Sequence, residues 1–385
     1  MSETILNDSN SRQFQRFEME DLQSKWEKVV DYNLSESGVD PVSVSKLLEK
    51  SNEDPEDFLS TQLHYPPTQG TKELRRQISR FYPEAKVDNV SVTVGCAEAN
   101  FNAIRALLNP GDELIVMIPN YMQIFGLGQN SGLDVKKFHL EEEQDWSPNL
   151  NELEEKVTED TKCIAVCNPN NPTGYILTEE EMDRIVEIAD SVGAWLLSDE
   201  VYSGAESEGD SETPSFWGRY DRVIANNSLS KAYGLPGLRI GWAVAHPEVI
   251  EEIEAQKSYT TICATVLSNK LANLALSPEV RPFLIQRTRD HVRDGYSDFR
   301  EWIDSNRDVF SLVDPQAGAF GFPSFDLDIS ALNLVKRLID EKSVLVVAGE
   351  HFGLNKKYLR ISYGLPREEL LAGLGRISEL VDTLK

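Results

Sequence analysis

Cysteines, histidines and basic residues are scarce in this chain. Its four cysteines have neither the spacing of a disulfide framework nor that of a zinc site, and its five histidines are too scattered to ligate a metal together. Lysine and arginine number 38 against 64 aspartates and glutamates, so the formal net charge is -26. Because that charge repels phosphate groups, we expect no nucleic acid and no membrane surface among the partners. We also predict no metal and, from the cysteine usage, a reducing cytoplasmic location.

Long apolar runs are also missing. No stretch reaches the roughly 18 consecutive apolar residues that a membrane-spanning helix needs. Residues 1–13 are polar and lack the apolar core of a secretion signal, so we expect a disordered or loosely packed arm there. The chain does have a hydrophobic fraction of 40%, with 9% aromatic residues, which is typical of a globular protein. Its 385 residues exceed one ordinary core, which predicts two domains.

Strand-like and helix-like segments alternate through the middle of the chain. The predicted strands are 90–94, 113–118, 134–140, 163–167, 194–198 and 222–225. The helices predicted between them are 98–108, 122–132, 151–157 and 179–192. This alternation predicts an α/β fold, in which a large domain has a mostly parallel sheet covered by helices on both faces.

The last third of the chain has a different pattern. A long helix at about 278–305 is followed by short strands and two further helices, which predicts a smaller α+β domain. We assign residues 1–45 to the N-terminal arm and part of the small domain, 46–277 to the large domain, and 278–385 to the small C-terminal domain.

One lysine occupies an unusual position. Lys231 lies in the turn region between two predicted core strands, and it is followed by Gly234, Pro236 and Gly237, which favour a tight turn. A desolvated lysine near other cations can become an amine nucleophilic enough to form a Schiff base. The alternative is an ordinary strand-turn-strand unit with a surface lysine.

Several chemically capable residues follow predicted strand ends. These are Gly95, Asn171, Asp199, Tyr202 and Lys231. In open α/β sheets, ligands bind at the carboxyl ends of the strands. The spacing therefore predicts one site that contains these residues.

Three motifs carry a resemblance to a known family. They are Asn-Pro-Asn-Asn-Pro-Thr-Gly at 168–174, Asp-Glu-Val-Tyr at 199–202 and Ser-Leu-Ser-Lys at 228–231. In this order and with these gaps the chain resembles the fold-type I pyridoxal-phosphate enzymes of the class I/II aminotransferase family, from about residue 34 to the final helix. The resemblance implies pyridoxal 5'-phosphate as cofactor.

The resemblance also implies catalytic roles. Lys231 would form a Schiff base with the cofactor and then shuttle a proton as general base and acid. Asp199 would pair with the pyridine nitrogen, and Tyr202 and Asn171 would bond to the phenolic oxygen. The alternatives are a turn cap for Asp199 and an ordinary core tyrosine for Tyr202.

The implied phosphate site combines backbone and side-chain donors, namely Gly95, Cys96, Ala97, Ser228, Ser230 and Arg239. Many relatives carry a hydroxyl residue at the place of Ala97. The backbone donors or Ser230 would then have to compensate. Tyr121 is similar to the aromatic residue that stacks on the pyridine ring, with a core tyrosine as the alternative.

Substrate and partner contacts follow from the same resemblance. Arg360 looks like the arginine that binds the substrate α-carboxylate, the alternative being a surface ion pair. The segment 33–39, with Glu36 and Gly38, occupies the place of a loop that closes over substrate, where Asn171 would also contribute. Glu36 either pairs with a cationic substrate side chain or faces solvent. Tyr65 resembles the tyrosine that reaches the phosphate of a neighbouring subunit, which implies a homodimer.

The leading functional hypothesis is amino-group transfer between an L-amino acid and a 2-oxo acid. The alternative, suggested by local similarity to the capreomycidine synthase branch, is cyclisation, elimination or oxidation of an arginine-like amino acid on the same cofactor. A non-catalytic regulator with this fold would need a DNA-binding domain, and the first 30 residues are too short and too acidic for one.

Overall fold

The computed structural model describes residues 14–385, and the arm predicted at 1–13 lies outside the described residues. In chain order its helices are α1 (Glu18–Trp26), α2 (Val44–Ser51), α3 (Pro55–Leu59), α4 (Lys72–Ser79), α5 (Cys96–Leu107), α6 (Gln123–Ser131), α7 (Leu150–Lys156), α8 (Glu179–Val192), α9 (Pro247–Lys257), α10 (Val266–Ala275), α11 (Arg281–Ser305), α12 (Ala331–Lys342) and α13 (Arg367–Asp382). None of these helices is long and apolar enough to cross a membrane.

The strands of the described part are short and numerous. They are β1 (Tyr32–Asn33), β2 (Val90–Thr93), β3 (Glu113–Ile118), β4 (Asp134–Glu141), β5 (Ser147–Pro148), β6 (Thr161–Cys167), β7 (Trp195–Asp199), β8 (Val223–Ser228), β9 (Gly241–Val244), β10 (Phe310–Ser311), β11 (Phe320–Gly321), β12 (Ser324–Phe325), β13 (Val344–Leu345), β14 (Val347–Ala348) and β15 (Leu359–Ser362).

An eight-stranded sheet forms the centre of the fold, in the order β2-β9-β8-β7-β6-β3-β4-β5. The strands from β8 to β4 are parallel, whereas β9 is antiparallel to both neighbours and β5 is antiparallel at the opposite edge. The prediction of a mostly parallel sheet is confirmed. The register aligns Cys167 with Asp199 and Asp199 with Asn226, so the carboxyl ends of three strands meet.

Both faces of this sheet are covered. Along β3, Ile115 and Met117 belong to one buried apolar cluster, and Leu114, Val116 and Ile118 belong to another. Successive side chains of a strand point to opposite faces, so the two clusters lie on opposite sides of the sheet. The five consecutive apolar residues at 114–118 are what burial on both faces requires.

Helix α8 shows how the sequence limits a covering helix. Thr178 accepts a hydrogen bond from the Glu181 backbone N–H, and the Glu181 side chain accepts one from the Thr178 N–H. This capping box satisfies two backbone donors at the start of the helix. Gly193 ends the helix in the left-handed conformation (φ 66°), which glycine adopts without steric cost. The predicted bounds of this helix are confirmed.

A further buried cluster joins the two ends of the chain. Leu34 and Val39 pack with apolar residues between Val292 and Val381. Around this cluster lie the pair β1–β13, the pair β10–β12 and the sheet β11-β15-β14. This arrangement is the smaller α+β part that the sequence predicts. The boundaries at residues 45 and 277 stay predictions.

Some predicted elements differ from the structure at their ends. The amphipathic pattern at 14–30 predicts one helix there, but α1 is shorter, since it ends at Trp26 and is followed by a turn. The helix expected from about 278 begins at Arg281, because Pro282 has no N–H to donate and fits in the first turn. The apolar run at 344–347 predicts one strand, but the structure divides it between β13 and β14, which pair with different partners.

Candidate active site

A cavity of about 560 Å³ lies at the carboxyl ends of β6, β7 and β8. Its volume is in the range of small-molecule sites. Most of the predicted site residues line it, namely Glu36, Cys96, Ala97, Tyr121, Asn171, Asp199, Tyr202, Ser228, Ser230, Lys231, Arg239 and Arg360.

The three remaining predicted residues lie beside or outside the cavity. Gly95 directly precedes the lining residue Cys96. A Cβ built on Gly38 would lie 3.9 Å from Cδ of Lys231, so this backbone passes beside the lysine. Tyr65 is 83% exposed and does not line the cavity within the described chain.

Helix α5 begins at the cavity wall. Between the predicted strand 90–94 and the predicted helix 98–108 the sequence predicts a tight turn at 95–97, which is wrong in part because Cys96 and Ala97 already form the first helical turn. Gly95, at φ 77°, is the N-cap and offers no side chain to the first N–H groups. A Cβ on Gly241 would lie 2.4 Å from the Cys96 backbone nitrogen, so glycine there lets β9 approach the helix end. The open N–H groups favour an anion.

An arginine and two serines surround the same corner. Arg239 Nη1 donates to Ser230 Oγ at 3.4 Å and to the carbonyl of Pro236 at 3.0 Å. The Ser230 backbone N–H donates to Ser228 Oγ at 3.2 Å. A Cβ on Gly95 would lie 2.5 Å from Arg239 Nη2, so glycine makes room for the guanidinium. Together with the start of α5, these groups suit a phosphate.

Asp199 is buried at the end of β7. Burial raises the pKa of its carboxyl, while hydrogen bonds from Asn100 Nδ2 (3.0 Å) and the Val201 N–H (3.3 Å) lower it. Asn100 in turn accepts a hydrogen bond from Asn226 Nδ2 at 2.8 Å. A buried carboxylate held in this way favours a cationic partner in the cavity.

The sequence interpretation missed these two asparagines. Asn100 lies four residues after Cys96 on α5, so both side chains share one helix face. Asn226 lies two residues before the Ser-Leu-Ser-Lys motif at 228–231 and opposite Asp199 in the sheet. Helical spacing from a predicted site residue is therefore the signal that points to Asn100.

The amine of Lys231 has no hydrogen-bond or salt-bridge partner among residues 14–385. Burial lowers its pKa, and the charges of Arg360 and Arg239 lower it further, whereas Glu36 and Glu20 raise it. A lysine with a depressed pKa has a larger fraction of neutral, nucleophilic amine. Lys231 lines the cavity, so it is not the ordinary surface lysine considered as the alternative.

Arg360 is almost fully buried, with 1% of the residue exposed. Its Nη1 donates to Asn171 Oδ1 at 2.9 Å and its Nη2 to the carbonyl of Ser35 at 2.5 Å. Its Nε has no hydrogen-bond partner among the described residues. The surface ion pair considered for this arginine is therefore excluded. A buried guanidinium with an unused donor suits a carboxylate ligand.

Tyrosines form another part of the wall. Tyr202 is buried and its hydroxyl donates to Ser37 Oγ at 2.9 Å. Tyr121 donates from its hydroxyl to Glu20 Oε1 at 2.7 Å, and its ring centroid lies 4.9 Å from that of Phe17. Both tyrosines line the cavity, so neither is only a core residue.

Helix α1 supplies a wall that the sequence interpretation did not place in the site. The lining residues from this helix and the residue after it are Met19, Glu20, Gln23, Ser24 and Glu27. The spacing of three and four residues puts them on one helix face. An amphipathic pattern alone does not say which surface a helix face covers.

The residues present fit pyridoxal phosphate. We call the start of α5 together with Ser228, Ser230 and Arg239 the anion corner. It borders the same cavity as the buried carboxylate of Asp199 and the amine of Lys231, which has no partner among the described residues. These groups match a phosphate, a ring nitrogen that can carry a proton, and an aldehyde.

Glu200, next to Asp199, is a buried carboxyl whose titration should affect the stability of the protein. Burial raises the pKa of its carboxyl from 4.5 to about 7, against hydrogen bonds from Ser215 Oγ and the Phe216 N–H. The folded state therefore resists ionisation of Glu200, and the contribution of this residue to stability falls as the pH rises from about 4.5 through 7. Glu200→Gln removes this titration. The difference in free energy of unfolding between the variant and wild type should therefore be larger at pH 8 than at pH 4.5, by about 2–3 kcal/mol in favour of the variant.

Urea denaturation of both proteins across this pH range measures the difference. Asp190→Asn is the control, because Asp190 is exposed on α8 and its removal should shift stability equally at both pH values. A Glu200→Gln difference that does not grow with pH would contradict the prediction.

Comparisons with known proteins agree with the fold. The family model described as aminotransferase class I and II matches residues 35–377. An aspartate aminotransferase of Pyrococcus horikoshii is 28% identical over 331 residues, which cover 83% of each chain. Capreomycidine synthase of Streptomyces vinaceus is 30% identical over 325 residues, covering 82% of this chain and 80% of that protein.

A solved structure is similar over nearly the whole chain. A PLP-dependent aminotransferase from Streptococcus suis superposes with a TM-score of 0.91 at 31% identity, covering 97% of this chain and 99% of that one. The family match spans most of the described residues, including the cavity-lining residues from Glu36 to Arg360 but not those of helix α1. The chain therefore belongs to the class I and II aminotransferase family and is a pyridoxal-phosphate-dependent enzyme that transfers amino groups.

Proposed function

We propose that this enzyme exchanges the amino group of an L-amino acid with a 2-oxo acid in the cavity around Lys231, in two successive half-reactions. The observation that carries the proposal is the lysine amine, which has no partner among residues 14–385 and lies in one cavity with Asp199 and Arg360. Pyridoxal phosphate, when bound, supplies an aldehyde that takes up the amino group and a ring that withdraws electrons from the substrate Cα.

Lys231 holds and moves the proton in this proposal. Its lowered pKa raises the fraction of Nζ that is neutral, which is the form that a general base requires. After accepting the proton from the substrate Cα, Nζ would be the acid that delivers it to the former aldehyde carbon of the cofactor. The anion corner formed by Arg239, Ser228 and the start of α5 fixes the cofactor phosphate.

Asp199, Tyr202 and Asn171 orient and polarise the ring. The Asp199 carboxylate keeps a proton on the ring nitrogen, because a buried carboxylate favours a cation beside it. Tyr202 and Asn171 also line the cavity, and their hydroxyl and amide groups would donate to the phenolic oxygen. Arg360 lines the cavity and would bind the α-carboxylate with its guanidinium fork.

A half-reaction experiment tests the proposal. Holoenzyme mixed with single L-amino acids should lose the absorbance of the aldehyde form, and a 2-oxo acid should restore it. Product mass then identifies the reaction. Loss of absorbance that no 2-oxo acid reverses, together with a cyclised or oxidised product, would favour the alternative chemistry.

A second candidate, action on a basic amino acid such as an arginine derivative, is favoured by the charges at the cavity. Glu20, Glu27 and Glu36 line it, whereas its basic residues Lys231, Arg239 and Arg360 all have roles in the proposal above. Such a substrate also fits the 30% identity with the capreomycidine synthase of Streptomyces vinaceus.

Glu36→Gln tests this candidate. The carboxylate would lose its attraction for a cationic side chain, so KM should rise about tenfold for basic amino acids and stay within about twofold for neutral ones, as expected for one charged contact. Steady-state kinetics on both substrate groups measure this. Asp31→Asn, an exposed residue that does not line the cavity, is the control. An equal change for both groups would remove the candidate.

A homodimer is part of the proposal and is supported by exposed apolar residues around Tyr65. Tyr65, Leu63, Tyr259 and Ile262 are between 52% and 93% exposed. The two segments are adjacent, because Lys257 donates to the carbonyl of Thr68. Large apolar side chains exposed together are typical of an interface.

Mixing two inactive variants tests whether Tyr65 acts across that interface. Tyr65→Ala and Lys231→Ala protomers, unfolded and refolded together, should regain activity in about a quarter of the sites, because each mixed dimer holds one site with neither lesion. Each variant refolded alone is the control. No recovery in a mixture that forms mixed dimers would show that Tyr65 does not act in the partner's site.

We place this reaction in cytoplasmic amino acid metabolism, with biosynthesis as its setting. All four cysteines are unpaired, which fits a reducing compartment.

A further inference from the structure

Gln23 of helix α1 and Arg360 donate hydrogen bonds to the same backbone carbonyl, that of Ser35. Gln23 is buried, with 8% exposed, and its Nε2 donates to the carbonyl of Ser35 at 2.9 Å and to Ser35 Oγ at 3.1 Å. The same carbonyl accepts from Arg360 Nη2 at 2.5 Å. A carbonyl oxygen has two lone pairs, so it can accept both donors at once.

The Ser35 carbonyl is therefore one of two anchors of the guanidinium. The other is Asn171 Oδ1, at 2.9 Å from Arg360 Nη1. The ring of Phe352, 5.0 Å from the guanidinium carbon, restricts the fork on one face without fixing its rotation. The direction in which Nε points thus depends on where the Ser35 carbonyl lies.

Few other contacts hold that carbonyl. Asn33 Oδ1 accepts from the backbone N–H and the hydroxyl of Ser35, so it restrains the other side of the residue. The following residue, Glu36, is exposed. Gln23 is the only side chain besides Arg360 that donates to this carbonyl in the described chain.

We propose that Gln23 is a positioning residue for substrate binding, which holds the Ser35 carbonyl so that Arg360 presents its fork to the α-carboxylate. This inference rests on the proposed function, in which Arg360 binds that carboxylate. Because amino acids and 2-oxo acids share the carboxylate, Gln23 acts on both half-reactions alike. The effect of Gln23 on KM should therefore not depend on the substrate side chain.

Gln23→Met tests the inference, since methionine has a similar length and cannot donate. We expect KM for an L-amino acid and for a 2-oxo acid to rise by the same factor, about 5–20-fold, with kcat within about threefold, as for one lost hydrogen bond in an orienting network. Lys25→Met, on the exposed face of α1, introduces the same residue as a control for helix stability and should leave both KM values unchanged.

Two further measurements separate positioning from general damage. A primary amine that lacks the carboxylate should react with Gln23→Met and wild type at the same rate. In an Arg360→Lys background, which has no fork, Gln23→Met should raise KM no further. An unchanged KM, an equal loss for the amine, or full additivity would each overturn the inference. Wild type measured alongside tests the proposed function itself. If wild type does not respond to amino acids, the proposed function and the role of Gln23 are both wrong. If wild type responds and Gln23→Met has the same KM, only the role of Gln23 is wrong.

Discussion

Lys231→Ala should lower the rate of amino-group transfer by at least about 10³- to 10⁴-fold. The amine is both the expected attachment point of the cofactor and the group that moves the proton at the substrate Cα, and general acid-base catalysis alone contributes up to about 10⁴. The variant should still fold and bind the cofactor, because the anion corner and Asp199 are unchanged. Single-turnover absorbance with an L-amino acid measures the loss.

Two matched variants show whether the effect belongs to this amine. Lys231→Arg keeps the positive charge but should be as inactive as Lys231→Ala, since a guanidinium does not deprotonate in proteins. Lys257 is also buried with a lowered pKa, yet it donates to the carbonyls of Thr68 and Val92. Lys257→Met should therefore lower stability and leave the cofactor spectrum intact. Retention of a tenth of the wild-type activity by Lys231→Ala would contradict the assignment.

The contrast between these lysines shows what a sequence can predict. Lys231 is identified by its place after a strand end, between hydroxyl residues and a glycine-rich turn, which are local features. The alternation of strands and helices likewise predicts the parallel sheet, because a period of two or 3.6 residues is visible in a short window. The ends of β6, β7 and β8 then bring the predicted residues to one edge.

Contacts between distant segments are what the sequence could not predict. Ser35 and Arg360 are 325 positions apart, and nothing in either segment indicates that a backbone carbonyl meets a guanidinium. Helix α1 has an amphipathic pattern that fits many surfaces, so the role of Gln23 follows only from packing. The division of residues 344–347 between two strands has the same cause, since strand partners rather than propensity decide it.

Asp199→Asn should change activity and stability in opposite directions. The amide cannot keep a proton on the ring nitrogen, so kcat should fall about 10²- to 10³-fold, the usual size of losing one charged group that stabilises a reaction inside a water-poor site. Burial raises the pKa of Asp199, so without cofactor the folded state is penalised for its charge at neutral pH. The variant without cofactor should therefore unfold at a higher temperature than wild type.

Glu200→Gln is the matched control, because it removes the neighbouring buried carboxyl, which does not line the cavity. It should also raise stability at neutral pH but keep kcat within a few-fold. Thermal melts without cofactor, combined with steady-state kinetics of the holoenzyme, give both quantities for each variant. Active sites often retain groups that reduce stability because the reaction needs them, and Asp199 is expected to be such a group. If both variants lost activity equally, the charge at residue 199 would have no special relation to the ring nitrogen.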